Sequence, residues 1–236
     1  VGVDGSPQSF GALDTAVNTN NATEWNPNAS GGAGPRVESL ILSNTTLYVG
    51  GIFDSIGGQR RVDLAALDTT VNTNNATAFD PEANDVVSSL ALSGTTLYVG
   101  GNFSKTGGQP RNRLAALDTT VHTNNAKKWN PNTGGSGSSI QSLILSNTIL
   151  YVGGNFTSIG SQSRRNLASF DLATGNLTAW NPDPDGWIES SILSGTTLYV
   201  GGAFSNIGSH KRNRLAALDT PANTNNATDW NPVAND

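Results

Sequence analysis

The chain of 236 residues predicts an all-β fold, a β-propeller of four-stranded blades with a period of about 50 residues, on three observations. The string Leu-Tyr-Val-Gly-Gly occurs four times, at 47–51, 97–101, 150–154 and 198–202. In step with it runs Leu-Ala-Ala-Leu-Asp or a variant, whose last residues (Asp14, Asp68, Asp118, Asp171 and Asp219) are 54, 50, 53 and 48 positions apart. Behind that, Trp25, Phe79, Trp129, Trp180 and Trp230 each precede Asn-Pro or Asp-Pro. Length varies only in connections such as 134–139, which marks one unit copied along the chain.

The elements of a copy follow from local chemistry. In the second full copy, residues 87–92 predict strand a and 95–99 strand b, with Ser93-Gly94 as a tight hairpin between them. Residues 114–118 predict strand c. The segments around 77–79 and 127–129 predict strand d, stopped by a Pro that cannot donate to a ladder. No segment carries a helical period with caps. Apolar residues in strands a and b run nearly unbroken (Leu40-Ile41-Leu42, Leu47-Tyr48-Val49), so both faces of each sheet should be covered. Repeated sheets covered on both faces describe blades packed around an axis, with strand a innermost. A β-helix needs a shorter coil and an α-solenoid needs helices. The glycine pairs ending strand b (Gly50-Gly51, Gly100-Gly101, Gly153-Gly154, Gly201-Gly202) predict a bulge or a close backbone approach.

A single domain over 1–236 is expected, with a half blade at 1–26 and blades at about 36–82, 86–132, 139–183 and 187–233. The c–d pair occurs five times and the a–b hairpin four times, which predicts a five-bladed ring with one incomplete or split blade. The expected partners are therefore copies of the chain or adjoining repeats that supply the missing a–b hairpin by β-augmentation.

Composition narrows the function classes. Thirteen basic and 18 acidic residues give a net charge of −5 with no basic run, which argues against nucleic acid. No apolar run approaches the ~18 residues of a membrane helix, so no membrane span is expected. The start at Val1 without a signal pattern predicts a mature or excised segment. With no Cys there is no disulfide frame or thiol chemistry, and no cofactor is expected. The neutral polar surface of Asn, Thr, Ser and Gly suits a secreted repeat protein.

At this point the residues resemble a known family. Leu97-Tyr98-Val99-Gly100-Gly101-Asn102-Phe103, then Gly107-Gly108-Gln109, Arg111 and 114–118, is similar to kelch-like propeller repeats of secreted and cell-surface proteins. It resembles the delta-60 type of bacterial surface proteins and the repeats of fungal cortical-polarity surface proteins, and the likeness runs through practically the whole chain. The resemblance implies an extracellular or cell-surface propeller without an agreed catalytic motif. The long c–d loops at 68–77 and 118–127 depart from the shorter form, which 171–178 retains.

Repetition also sorts the candidate sites. Arg61, Arg111, Arg164 and Arg212 recur three residues before strand c and, with the strand-c aspartates, are assigned to architecture, since buried charges must be paired. The loops 14–21, 68–75 and 219–226 lack the spaced carboxylates of a calcium site, and His122 and His210 form neither a metal site nor a triad. Position two of strand a is polar in every copy (Glu38, Ser88, Gln141, Glu189) and is expected to rim the central channel. Glu38 and Glu189 suggest the acid pair of a glycosidase, but a polar channel wall needs only water to explain them. Trp187, beside Asp183 and Asp185, stands where no other copy has an aromatic, and either stacks on a sugar face or seals two blades. The ligand-binding candidates are thus Trp187, Asp185, Glu38 and Glu189, with no catalytic or metal residue. Eight Asn-x-Ser/Thr motifs occur, and Asn21, Asn75 and Asn226 in the c–d loops are the glycosylation candidates. The expected function is a non-enzymatic structural, adhesion or self-assembly module, with a filament as one form of that assembly. The alternatives are a lectin-like, glycan-binding propeller and a glycoside hydrolase.

Overall fold

A computed structural model describes residues 11–16, 22–31 and 34–232. Every named element in them is a β-strand, and four antiparallel sheets follow one another, each in the order a, b, c. The first blade has strand a at Arg36–Ser43, b at Thr46–Ile52 and c at Leu64–Asp68. The second has Val87–Ser93, Thr96–Gly101 and Leu114–Asp118. The third has Ser139–Ser146, Ile149–Asn155 and Leu167–Asp171, and the fourth Ile188–Ser194, Thr197–Gly202 and Leu215–Asp219. The a–b turns sit one residue later than the sequence predicts. Ser93 pairs with Thr96, so Gly94-Thr95 forms the loop. Its first position has φ of 54°, and the equivalents Asn44, Asn147 and Gly195 lie between 51° and 59°, a region Gly and Asn tolerate best.

Two elements differ from expectation. Strand d is a named strand only in the third blade, as Asn176–Leu177, and elsewhere shrinks to single bridges from Ala76, Ala126 and Ala227 to strand c. The Pro shortly after it stops the ladder. The carbonyls of Thr77, Lys127, Thr178 and Thr228 are meanwhile taken by the repeated arginines at 2.7, 2.7, 3.4 and 2.5 Å. The b–c loops also hold a small hairpin in every blade, for example Ser55–Ile56 against Gln59–Arg60, turning through Gly57 and Gly58 at φ of 61° and 76°. The Gly-Gly at 57–58 and 107–108 was its sequence signal.

The core lies between sheets rather than within them. Strands a pack in series, first on second, second on third and third on fourth. One buried cluster joins Tyr48, Leu64 and Phe79 of the first blade to Leu90, Leu97 and Val99 of the second, and two further clusters repeat that junction along the chain. Outside this core, backbone bonds staple neighbours. The carbonyls of Pro27, Pro81, Pro131 and Pro182 accept from Gly57, Gly107, Gly160 and Gly208 of the next blade's hairpin at 2.6, 2.6, 2.6 and 2.7 Å.

The glycine pairs now have a physical cause. The second glycine faces a bulge in strand a of its own blade. A Cβ on Gly51, Gly101, Gly154 or Gly202 would overlap the carbonyl of Arg36, Val86, Ser139 or Trp187. The first glycine faces the next blade, where a Cβ on Gly50, Gly100 or Gly153 would lie 2.6, 2.5 or 2.8 Å from Val87, Ile140 or Ile188. Gly201 is different, since its nearest neighbours would be Ser190 Oγ at 3.3 Å and Arg214 O at 3.8 Å, both of its own blade. The seat for a following strand a is there, and no described residue fills it.

The residue before strand c adopts the left-handed conformation in every blade, with φ of 58°, 63°, 60° and 62° at Asp63, Arg113, Asn166 and Arg214. Asp63 accepts a bond from Phe53 N at 3.0 Å, as Asn166 does from Phe156 N at 3.1 Å. Burial pushes the Asp63 carboxyl up to about 6, outweighing the lowering effect of the Phe53 bond, and the charges of Asp85 and Asp54 add to the rise. The folded state therefore binds this proton more tightly than the unfolded chain. The stability it contributes is fully present below about pH 4 and is lost as pH rises through about 6. Asp63→Asn, which installs the third blade's own residue, should raise the unfolding midpoint near neutral pH and change it little near pH 4. Equal effects of the substitution at both pH values would refute the burial account.

Candidate functional site

The bulge in strand a positions the candidate residues. In all four blades the a–b register jumps across one residue, namely Glu38, Ser88, Gln141 and Glu189, the polar position of the sequence pattern. A bulge leaves one residue unpaired and re-aims its side chain, so a polar residue fits within an otherwise apolar strand. At three of these bulges the side chain meets the one two residues earlier. Arg36 Nε donates to Glu38 Oε1 at 2.5 Å, Gln141 Nε2 to Ser139 Oγ at 3.4 Å, and Trp187 Nε1 to Glu189 Oε2 at 3.1 Å. Each carboxylate thus has a partner inside its own blade. Glu38 and Glu189 occupy matching places on the first and fourth blades, separated in the series of strands a by two others.

Trp187 is 49 % exposed and stays at the surface instead of sealing two blades. With Glu189 it forms a flat apolar face edged by an acceptor, an arrangement able to stack on a sugar ring and bind its hydroxyls. Asp185 does not join that pair. Its Oδ1 accepts from the backbone N–H groups of Ser205 and Asn206 at 2.7 and 2.9 Å, and its Oδ2 from Asn206 Nδ2 at 2.7 Å. Asn84 does the same for Ser104 and Lys105 in the second blade, at 2.9 Å each. Asp185 is therefore a joint between blades. Asp183 is held by Arg165 through two bonds of 2.7 Å, and these keep its carboxyl below the usual range.

The recurring charges are absorbed by the frame. The arginines bind carbonyls as described, and Arg111 and Arg212 are buried. The strand-c aspartates do not pair with them. Asp68 accepts from Thr70 N at 2.8 Å and Thr70 Oγ1 at 2.7 Å, opening the c–d loop as an Asx turn. Asp118 repeats this with Thr120 and adds Lys127 Nζ at 3.0 Å, and the Thr120 hydroxyl bond leads in holding its carboxyl down to about 2. Of the glycosylation candidates, Asn75 and Asn226 are buried, with Nδ2 bonded to Val71 O at 3.1 Å and Ala222 O at 3.4 Å. Asn21 lies outside the described residues.

Two clefts of about 390 and 400 Å³ lie at equivalent junctions, where Asn130-Pro131 faces Gln162 and where Asn26-Pro27 faces Gln59. A third, of about 480 Å³, is apolar and lies between Ala12 and Trp25 on one side and Leu40, Leu42 and Leu47 of the first blade on the other. Among the described residues, no group of three or more His, Cys, Asp or Glu side chains converges to hold a metal ion. Among the same residues there is no helix long and apolar enough to cross a membrane.

The profile of a family described as a domain of unknown function (DUF5122) β-propeller matches residues 96–119, which run from strand b to the end of strand c in the second blade. No curated protein matches the sequence. Among solved structures, the chain is similar to one in the mitotic checkpoint complex, with a TM-score of 0.51 and 17 % identity over 80 % of this chain and 49 % of that one. The WD40 β-propeller domain of Doa1 aligns at 0.49 and 13 %, over 73 % of this chain and 49 % of that one. The computationally designed Ika4 protein aligns at 0.47 and 14 %, over 81 % and 95 %. This chain thus spans about half the length of the first two. At such identities the likeness concerns the fold alone, which is that of a β-propeller.

Proposed function

We propose that the chain is a non-enzymatic propeller that serves as a structural, adhesion or assembly module outside the cell, a relative of the kelch-like and delta-60 repeats it resembles. One observation carries the non-enzymatic part. The four recurring arginines are bound to strand-d carbonyls, and Asp14, Asp68, Asp118 and Asp171 accept backbone N–H groups of their own turns. Chemistry spent on holding blades in register is chemistry of a scaffold. The neutral Asn-, Thr- and Ser-rich composition supports a place outside the cell.

A second reading, a carbohydrate-binding propeller, is favoured by the exposed Trp187 bonded to Glu189. A glycan array and a polysaccharide hydrolysis assay separate the readings. The scaffold predicts inertness in both. Binding with a dissociation constant of roughly micromolar that is lost in Trp187→Ala would establish the lectin. Hydrolysis abolished by Glu38→Gln or Glu189→Gln would establish a glycosidase.

A further inference from the structure

We infer that the apolar cleft lined by Ala12, Trp25 and the first blade is the seat of an a–b hairpin of this same repeat type. This rests on the scaffold reading and names the partner of its assembly face.

Two exposed leucines, Leu40 and Leu42, line the seat, and a third, Leu13, stands next to its lining residue Ala12 in the chain. Leu13 is 64 % exposed, whereas its equivalents Leu67, Leu117 and Leu218 are fully buried and Phe170 is 1 % exposed. Across the cleft, Leu40 and Leu42 are 50 % and 60 % exposed, while Leu90 and Leu143, which match Leu40, are 7 % and 5 %. Ala12, Trp25 and Leu47 are the other apolar side chains that line this cleft of about 480 Å³. An apolar surface this concentrated is a docking surface rather than scatter.

The three interior junctions show what covers such a face. Ile41 and Tyr48 of one a–b hairpin pack with Leu90 and Leu92 of the next blade. Ala91 and Tyr98 pack with Leu143 and Leu145, and Ile144 and Tyr151 with Leu193 and Leu198. In the same hairpins a strand-a serine oxygen accepts from the next blade, Ser39 Oγ from Leu90 N at 3.1 Å and Ser89 Oγ from Leu143 N at 2.9 Å. Their first glycine takes the next blade's strand-a aliphatic residue, a place that Val37 would fill here. On the other side, strand b pairs with strand c, as Leu47 does with Leu67. An occupant therefore needs a strand-a serine, an Ala or Ile two residues on, a Leu-Tyr pair in strand b and a glycine behind them. Residues 87–103 meet every term.

The probe is a synthetic peptide of residues 87–103 titrated into the whole chain by calorimetry. We expect one-to-one binding, weakened at least about tenfold by Leu42→Glu in the protein or by Ala in place of Tyr98 in the peptide. Leu42 is exposed, so Leu42→Glu leaves the protein's own circular dichroism unchanged. A second arm, which decides if the free peptide aggregates, fuses the same segment behind residue 236 through a flexible linker. The unfolding midpoint should rise, and Leu42→Glu should cancel the rise. An unchanged midpoint overturns the assignment. So does self-association of the unfused chain that needs Leu42 but is not displaced by the fused hairpin, since the occupant would then be an intact second copy. Glycan hydrolysis would instead overturn the scaffold reading, through a different readout.

Discussion

Gly100→Ala should destabilise the protein by about 1–3 kcal/mol in urea unfolding, while Gly201→Ala should leave the midpoint unchanged or slightly raised. The two glycines occupy the same place in Leu-Tyr-Val-Gly-Gly, and sequence alone gives no reason to separate them. At Gly100 an added Cβ would lie 2.5 Å from Ile140 of the third blade, whose side chain is fully buried and has no room to retreat. At Gly201 it would meet Ser190 Oγ at 3.3 Å, a close contact that the exposed Ser190 relieves by turning its hydroxyl away, so the usual gain from a less flexible unfolded chain is what remains. Equal effects at both positions would show that the glycines serve strand conformation and not the approach of a neighbour.

Leu143→Ala should cost about 2–5 kcal/mol, as a large-to-small change in a packed core. Its counterpart Leu40→Ala should cost well under 1 kcal/mol, because half of that side chain already meets solvent. Because each blade touches mainly its neighbours, loss at Leu143 should loosen the second and third blades together. The fourth blade shows a different solution at the same place, where Ser191 bonds to Ser142 with hydroxyl oxygens 2.6 Å apart. A Leu143→Ala variant that unfolds at the wild-type midpoint would place strand a outside the core.

Much of the fold was legible because repetition averages out local ambiguity. The unbroken apolar runs of strands a and b, the Leu-Ala-Ala-Leu-Asp of strand c and the glycine pairs all appear where the pattern puts them. Strand d was legible in place but not in length, since a guanidinium from Arg111 or Arg212 replaces ladder bonds, and such a long-range contact leaves no local trace. The polar position in strand a was visible, but its cause, a bulge at Glu38 or Glu189, depends on the register against strand b. Asp185 drew attention as an acid beside Trp187. Only alignment with Asn84 and the b–c hairpin, an element absent from the predicted strands, shows it to be a joint. Trp187 was an oddity in sequence and is one in space, standing out from the fold with Glu189 as its bonded neighbour.

The proline-to-glycine staples carry a consequence for the history of such a gene. Every junction uses the same carbonyl, the same N–H and the same outer spacing, whichever two blades it joins. Unequal crossing-over that excised residues 82–131 would bring Pro81 against the hairpin of Gly160, the partner Pro131 now has. The first blade's Gly50 would then receive Ile140 in place of Val87, one β-branched aliphatic for another. Behind the staple, Ile41 would replace Ala91 against Leu143 and Leu145, so such an event inherits the backbone joint intact and leaves the side chains of the seam to be refitted.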